Sequence, residues 1–288
     1  MPLALFALIL VSAGIHVVAH VALRRAHDRT AFVWWMLLWG VVLFSPVLFL
    51  DRTPIPAIGW AFIGLTSVFE SLYFASIAKA YQTGDLSVVY PLARGAAPAF
   101  LLLWSTAALG ERPSLAGILG ILAIAGGLYV INLPDLRAWR QPLRALQSAG
   151  PRWALFAGAC ISLYTAVDKV GVALVDPVLY LYLGVVLTVI WLAPWALATV
   201  GVRGLWAELR SSRLGTVLAG FTTMAAYTLV LIAMRQGAPA SYAGAVREIS
   251  VVFGVGIGVL VLKESGAAMR LSGSLLVAAG VVAIGLWG

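Results

Sequence analysis

The chain has 288 residues, 62% of them hydrophobic and only 10% charged, with a mean hydropathy of +1.01; a soluble domain carries about 25% charged residues, so a soluble globule is excluded. Its net charge of +8 comes from arginines scattered through short loops, a pattern that fits anionic lipid headgroups rather than nucleic acid. The one cysteine, Cys160, rules out an internal disulfide and a cysteine metal site.

A helix needs about 20 residues to cross the hydrocarbon layer. By that measure the chain holds ten spans, at 3–23, 31–50, 57–79, 86–109, 114–132, 153–172, 177–199, 214–235, 240–262 and 267–287. The first has neither a basic n-region nor a clear small-residue cleavage site, so it reads as a retained span rather than a removed signal peptide. Turn residues punctuate the series: Asp51-Arg52-Thr53-Pro54, Thr83-Gly84-Asp85, Glu111-Arg112-Pro113 and Lys263-Glu264-Ser265-Gly266. The longest link, Leu133–Arg152, carries Pro134, Arg137, Arg140, Pro142, Arg144 and Pro151. It separates two sets of five spans.

The two sets repeat each other. A shift of 153 positions lays Gly84 on Gly237, Arg94 on Arg247, Phe100 on Phe253, Glu111 on Glu264, Gly120 on Gly273 and Gly127 on Gly280. Five is odd, so the second set enters from the opposite side. The expected fold is an all-α integral membrane protein, ten transmembrane helices in a 5+5 inverted-topology repeat. Its parts are residues 1–133, a connecting loop at 134–152, and residues 153–288. Thirteen lysines and arginines fall in loops and span ends on one side and four on the other. The positive-inside bias then puts both termini outside the cytoplasm.

These residues resemble the EamA branch of the drug/metabolite transporter superfamily. Gly84 through Arg94, including Tyr90-Pro91, is similar to the start of that family's fourth helix. Gly110-Glu111-Arg112-Pro113-Ser114, followed by Gly117, Gly120 and Gly127, resembles its Gly-Glu turn and glycine-lined fifth helix; Lys263-Glu264-Ser265 repeats the turn. His16, Asp168-Lys169 and Arg247-Glu248 resemble a subgroup linked to phosphonate use. The resemblance implies a ten-helix carrier of small metabolites, often an exporter, in a bacterial inner (plasma) membrane. Many members keep both termini in the cytoplasm, against the charge count here.

Charge at bilayer depth points to the candidate site. A guanidinium there costs roughly 2.5–3.5 kcal/mol on insertion scales and normally faces a bundle interior or a wet cavity. Arg94, one turn after Tyr90, can grip a carboxylate, phosphate or phosphonate; alternatively it latches onto backbone carbonyls or Glu248. Pro91 removes a backbone donor and is a candidate helix break. Arg247 and Glu248 diverge by about 100° on a helix, so one can face the cavity while the other locks to the opposite half. Glu70, near Tyr73 and Phe74, can bind a substrate ammonium or take up a coupling proton; as a structural group it would pair with an arginine.

The remaining candidates divide by depth. His16 and His20 share a stripe with Ser12, and His16 reads as cavity-lining or proton-sensing; a metal site would need a further ligand. Tyr164 and Asp168 repeat the i, i+4 spacing, but Asp168-Lys169 lies near a span end and reads as a solvated or snorkelling pair. Trp34, Trp35, Trp39, Trp60, Trp191, Trp195, Trp206 and Trp287 read as an interfacial belt, and Tyr73, Tyr90, Tyr164 and Tyr227 as cavity aromatics. Gly254 and Gly258 form a small-residue packing face.

The expected substrate residues are therefore Glu70, Tyr73, Tyr90, Arg94, Tyr164, Tyr227, Arg247 and Glu248, with His16 and Glu70 as candidate proton-coupling groups. No cofactor, metal or catalytic set is expected. Nothing resembles an ATP-binding loop, so the function that fits is secondary-active transport driven by an ion or substrate gradient: export or exchange of an amino acid or other zwitterionic or anionic solute by alternating access. Lipophilic-cation efflux at Glu70 and the tyrosines is the alternative, a lipid-linked headgroup flippase a further one, and a membrane enzyme lacks a catalytic constellation. The expected partners are a small solute, lipids and protons, with the chain a monomer or homodimer.

Overall fold

The computed structural model describes residues 1–51, 53–83, 86–131, 133, 135–140, 145–256 and 267–288. Arg52, Gly84, Asp85, Arg144, Gly258, Lys263 and Glu264 lie outside the described residues, as do the side chains of Arg24, Tyr90 and Pro91. The described elements are helical: α1 Leu3–Arg24, α2 Arg29–Phe44, α3 Val47–Leu50, α4 Ala57–Thr83, α5 Leu86–Ala107, α6 Leu115–Ile131, α7 Ala149–Leu174, α8 Pro177–Thr199, α9 Gly201–Arg235, α10 Ala240–Val246, α11 Ile249–Gly256 and α12 Ala267–Trp287. Among the described residues, seven helices are long and apolar enough to cross a membrane, while Leu115–Ile131 is shorter at 17 residues.

Local chemistry sets several ends. Asp28 caps α2 by accepting from the Ala31 N–H at 2.9 Å. Asp176 caps α8 by accepting from the Val178 N–H at 2.9 Å, with Pro177 in the first turn. The helix α5 continues through Pro91, so the break expected there is not made. The interruption falls instead in the ninth span, where α10 ends and α11 begins around Arg247 and Glu248.

The main packing pairs recur when the halves are exchanged. The third span (α4) packs on the sixth (α7), and the first (α1) packs on the eighth (α9). The fourth (α5) meets the sixth, and the first meets α11 of the ninth. The fifth (α6) and tenth (α12) pack on each other. Their glycines allow this approach: a Cβ on Gly127 would lie 2.6 Å from the Gly273 carbonyl oxygen, and one on Gly273 2.6 Å from that of Gly127. Residues 1 and 288 meet at one end, where the Met1 amino group donates to the Gly288 carbonyl at 2.7 Å.

Candidate functional site

A cavity of about 710 Å³ runs from the bundle centre to the end carrying the Ala26–Thr30 turn and Gln82. His16 from α1, Glu70 and Tyr73 from α4, Arg94 from α5, Tyr164 from α7, Tyr227 from α9, and Arg247 and Glu248 from the broken span all line it. The structure therefore brings together every expected residue whose side chain is described; Tyr90 is the exception. His20 also lines the wall, its ring edge-on to His16 at 4.6 Å between centroids. Trp34 and Trp195, near the ends of their spans, line it too. Trp60, Trp191, Trp206 and Trp287 are exposed on the outer surface.

The two arginines have different partners. Arg94 Nη1 donates to both Glu248 carboxylate oxygens, at 3.0 and 3.2 Å. Glu248 is only 2% exposed, so the pair is a buried tie between α5 and the ninth span. Arg247 turns into the cavity wall. Its Nη2 donates to the Tyr164 hydroxyl at 3.2 Å, and its guanidinium carbon lies 5.1 Å from the Tyr227 ring centre, a cation–π contact. No carboxylate of the described residues lies within 4.0 Å of Arg247. The division follows from adjacency, because neighbouring side chains on a helical turn diverge by about 100°.

Glu70 lies opposite in chemistry. Its Oε2 accepts from the Thr188 hydroxyl at 2.9 Å, and it forms no ion pair with a described residue. The structural alternative, a pairing with an arginine, is not what is observed. Aromatic rings continue the wall: Tyr73 and Tyr164 are 6.4 Å apart, and Tyr164 and Tyr227 are 6.3 Å apart. The cavity thus offers a cation held by neutral groups, a carboxylate held by a hydroxyl, and rings alongside.

Asp168 is the residue that the sequence reading misplaced. It is 2% exposed, not solvated. Its Oδ1 accepts from the Thr66 hydroxyl at 2.6 Å and the Tyr180 hydroxyl at 3.0 Å, and its Oδ2 accepts from the Tyr227 hydroxyl. These bonds tie α4, α7, α8 and α9 together. Lys169 does not snorkel either: its Nζ donates to the Met234 and Ala238 carbonyls at 2.7 and 2.9 Å, closing the end of α9. The signal lay in Gly171, one turn further on, where a Cβ would collide with the Tyr180 ring. That glycine lets the aromatic ring cover the carboxylate.

The same end carries a second tie. Glu111 accepts from the Ala240 and Ser241 N–H groups and from the Ser241 hydroxyl, the last at 2.6 Å. The Gly-Glu turn of the first half thereby caps the ninth span of the second. No cavity-lining residue comes from the loops at this end, among those described. Among the described residues, no group of three or more His, Cys, Asp or Glu side chains could hold a metal ion.

The apolar spans mark a multi-pass membrane protein, and the charged cavity at their centre is its candidate binding site. The profile of the EamA-like transporter family matches residues 1–133 and 148–286, and the chain belongs to that family, within the drug/metabolite transporter superfamily. No curated protein matches. A solved structure described as "Crystal structure of protein" shares the fold, with a TM-score of 0.74 over 99% of each chain at 16% identity.

Proposed function

We propose that this transporter is a secondary-active carrier of a small zwitterionic or anionic solute, an amino acid or a phosphonate-like compound, moved by alternating access. The observation that carries this reading is Arg247: a guanidinium at the cavity wall whose partners are neutral, leaving its charge for a substrate anion. Glu70 supplies a site for a substrate ammonium or a coupling proton. The exchange-invariant packing of the spans supports two inverted five-helix halves, residues 1–133 and 153–288. The cavity reaches the end bearing the greater share of basic residues, which by the positive-inside rule is cytoplasmic. Asp168 and Glu111 then hold the outer end shut.

The test is flux into or out of liposomes under a proton gradient, with amino acids, aminophosphonates and organic cations as solutes. Zwitterion flux that disappears in Arg247→Gln is expected. Cation flux that survives Arg247→Gln and is lost in Glu70→Gln would replace this reading with lipophilic-cation efflux, which the Tyr73, Tyr164 and Tyr227 rings could serve. With Glu70 as the coupling group, Glu70→Gln flattens the pH dependence of flux; an unchanged pH profile removes Glu70 from that role.

A further inference from the structure

The helix α9 is longer than its task. Its 35 residues extend about 52 Å at 1.5 Å per residue, whereas the hydrocarbon core is about 30 Å thick. Ser212 marks the division, with non-helical backbone at φ −123°, ψ 25°. The part after it is long enough to cross by itself. The part before it, from Gly201, is a separate amphipathic piece at the end where the cavity opens.

One face of this piece is fixed to the bundle. Leu205 and Glu208 are buried; the Trp35 indole N–H donates to the Leu205 carbonyl at 2.8 Å, and Glu208 Oε2 accepts from the Asp28 N–H at 2.9 Å. The other face carries Val202, Arg203, Trp206, Ala207 and Arg210, which line a surface groove of about 450 Å³. Val202 is 60% and Trp206 51% exposed. Neither Arg203 nor Arg210 has a hydrogen-bond or ion-pair partner among the described residues.

We propose that this groove binds the headgroup of an anionic glycerophospholipid. Two guanidinium forks flank the groove and match a phosphodiester in charge and geometry. The Trp206 indole is the side chain most at home at headgroup depth, and Val202 and Ala207 offer apolar contact to the glycerol and upper acyl chain. A free inorganic anion would use the arginines but leave that apolar surface wet. The buried face, anchored through Trp35 and Asp28, holds the arginines at the level where the spanning part of α9 emerges. Lipid bound here braces the joint at Ser212, beside the cavity mouth.

Native mass spectrometry of the full chain, released from detergent with phosphatidylglycerol or phosphatidylcholine, tests this. Wild type should retain phosphatidylglycerol in preference to phosphatidylcholine. Arg203→Gln with Arg210→Gln should weaken that retention about five- to thirtyfold, the range expected from one or two basic residues near an anionic surface. Arg203→Lys with Arg210→Lys should retain most of it, and this pair keeps the test interpretable if the glutamine variant folds poorly. Arg137→Gln with Arg140→Gln, which removes two charges from a loop outside the groove, should change little. Equal retention of both lipids by wild type, an equal loss in the loop variant, or displacement by millimolar inorganic phosphate would each overturn the proposal.

Discussion

Arg94 and Arg247 hold equivalent positions in the repeat, yet one is neutralised and the other is not. The next residue explains the difference. Glu248 follows Arg247, whereas Gly95 follows Arg94. The single carboxylate at this pair of positions crosses to the other half and takes up Arg94, so Arg247 is left with the Tyr164 hydroxyl and the face of Tyr227. A carboxylate in both halves would allow two crossed ties and no available cation. In the proposed carrier, the loss of symmetry at this one position is what leaves a cation for the substrate.

The largest effect expected is on the tie. Replacing Glu248 by Gln leaves the Arg94 guanidinium without its carboxylate, and breaking one side of a buried pair costs about 3–5 kcal/mol. Unfolding in detergent should show that loss, and the double variant Arg94→Met with Glu248→Gln should recover much of it. Equal stability of Glu248→Gln and wild type would mean that the pair does not join the halves. Arg247→Gln should do the opposite. Its folding stability should stay near that of wild type, while substrate affinity falls about 10- to 150-fold, as expected for losing a charged hydrogen bond worth ~1.5–3 kcal/mol. Thermal melting with and without substrate, beside liposome flux, separates the two arginines. If both variants lost stability and spared flux, the contrast between them would be wrong.

Much of this contrast was legible in the sequence. The spans follow from apolar runs bounded by Gly, Pro and acidic turns, and the arginine pair follows from the repeat spacing. What the spacing left open was the partner. An adjacent Arg-Glu doublet has several ways to divide its roles, and only the contacts decide it: Glu248 reaches Arg94 while Arg247 stays at the wall. Pro91 offered a false signal, since α5 continues through it. Asp168 was hidden for a different reason. Position near a span end normally means water, but here Thr66, Tyr180 and Tyr227 come from three other helices to cover it. Burial made by distant helices leaves no local periodicity to read.

The closed end sharpens the comparison with smaller effects. Asp168→Asn keeps one carbonyl acceptor but presents an amide N–H₂ group to hydroxyls that now donate, so at least one hydroxyl loses its acceptor. The expected cost is about 1–3 kcal/mol of stability, measured by thermal or chemical unfolding; no change would show that the hydroxyls find other acceptors at no cost.

Tyr227 belongs to both regions: its hydroxyl serves Asp168 and its ring faces Arg247. Tyr227→Phe removes the first contact and keeps the second. Stability should fall by about 1.5–3 kcal/mol, the worth of a hydrogen bond to a charged group. Substrate affinity should stay within about twofold, because the ring still offers its face to the guanidinium. Tyr227→Leu removes both contacts and should weaken affinity as well. If Tyr227→Phe alone weakened binding as much as Arg247→Gln, the hydroxyl would be coupling the closed end to the cation, and the two regions would have to be treated as one site.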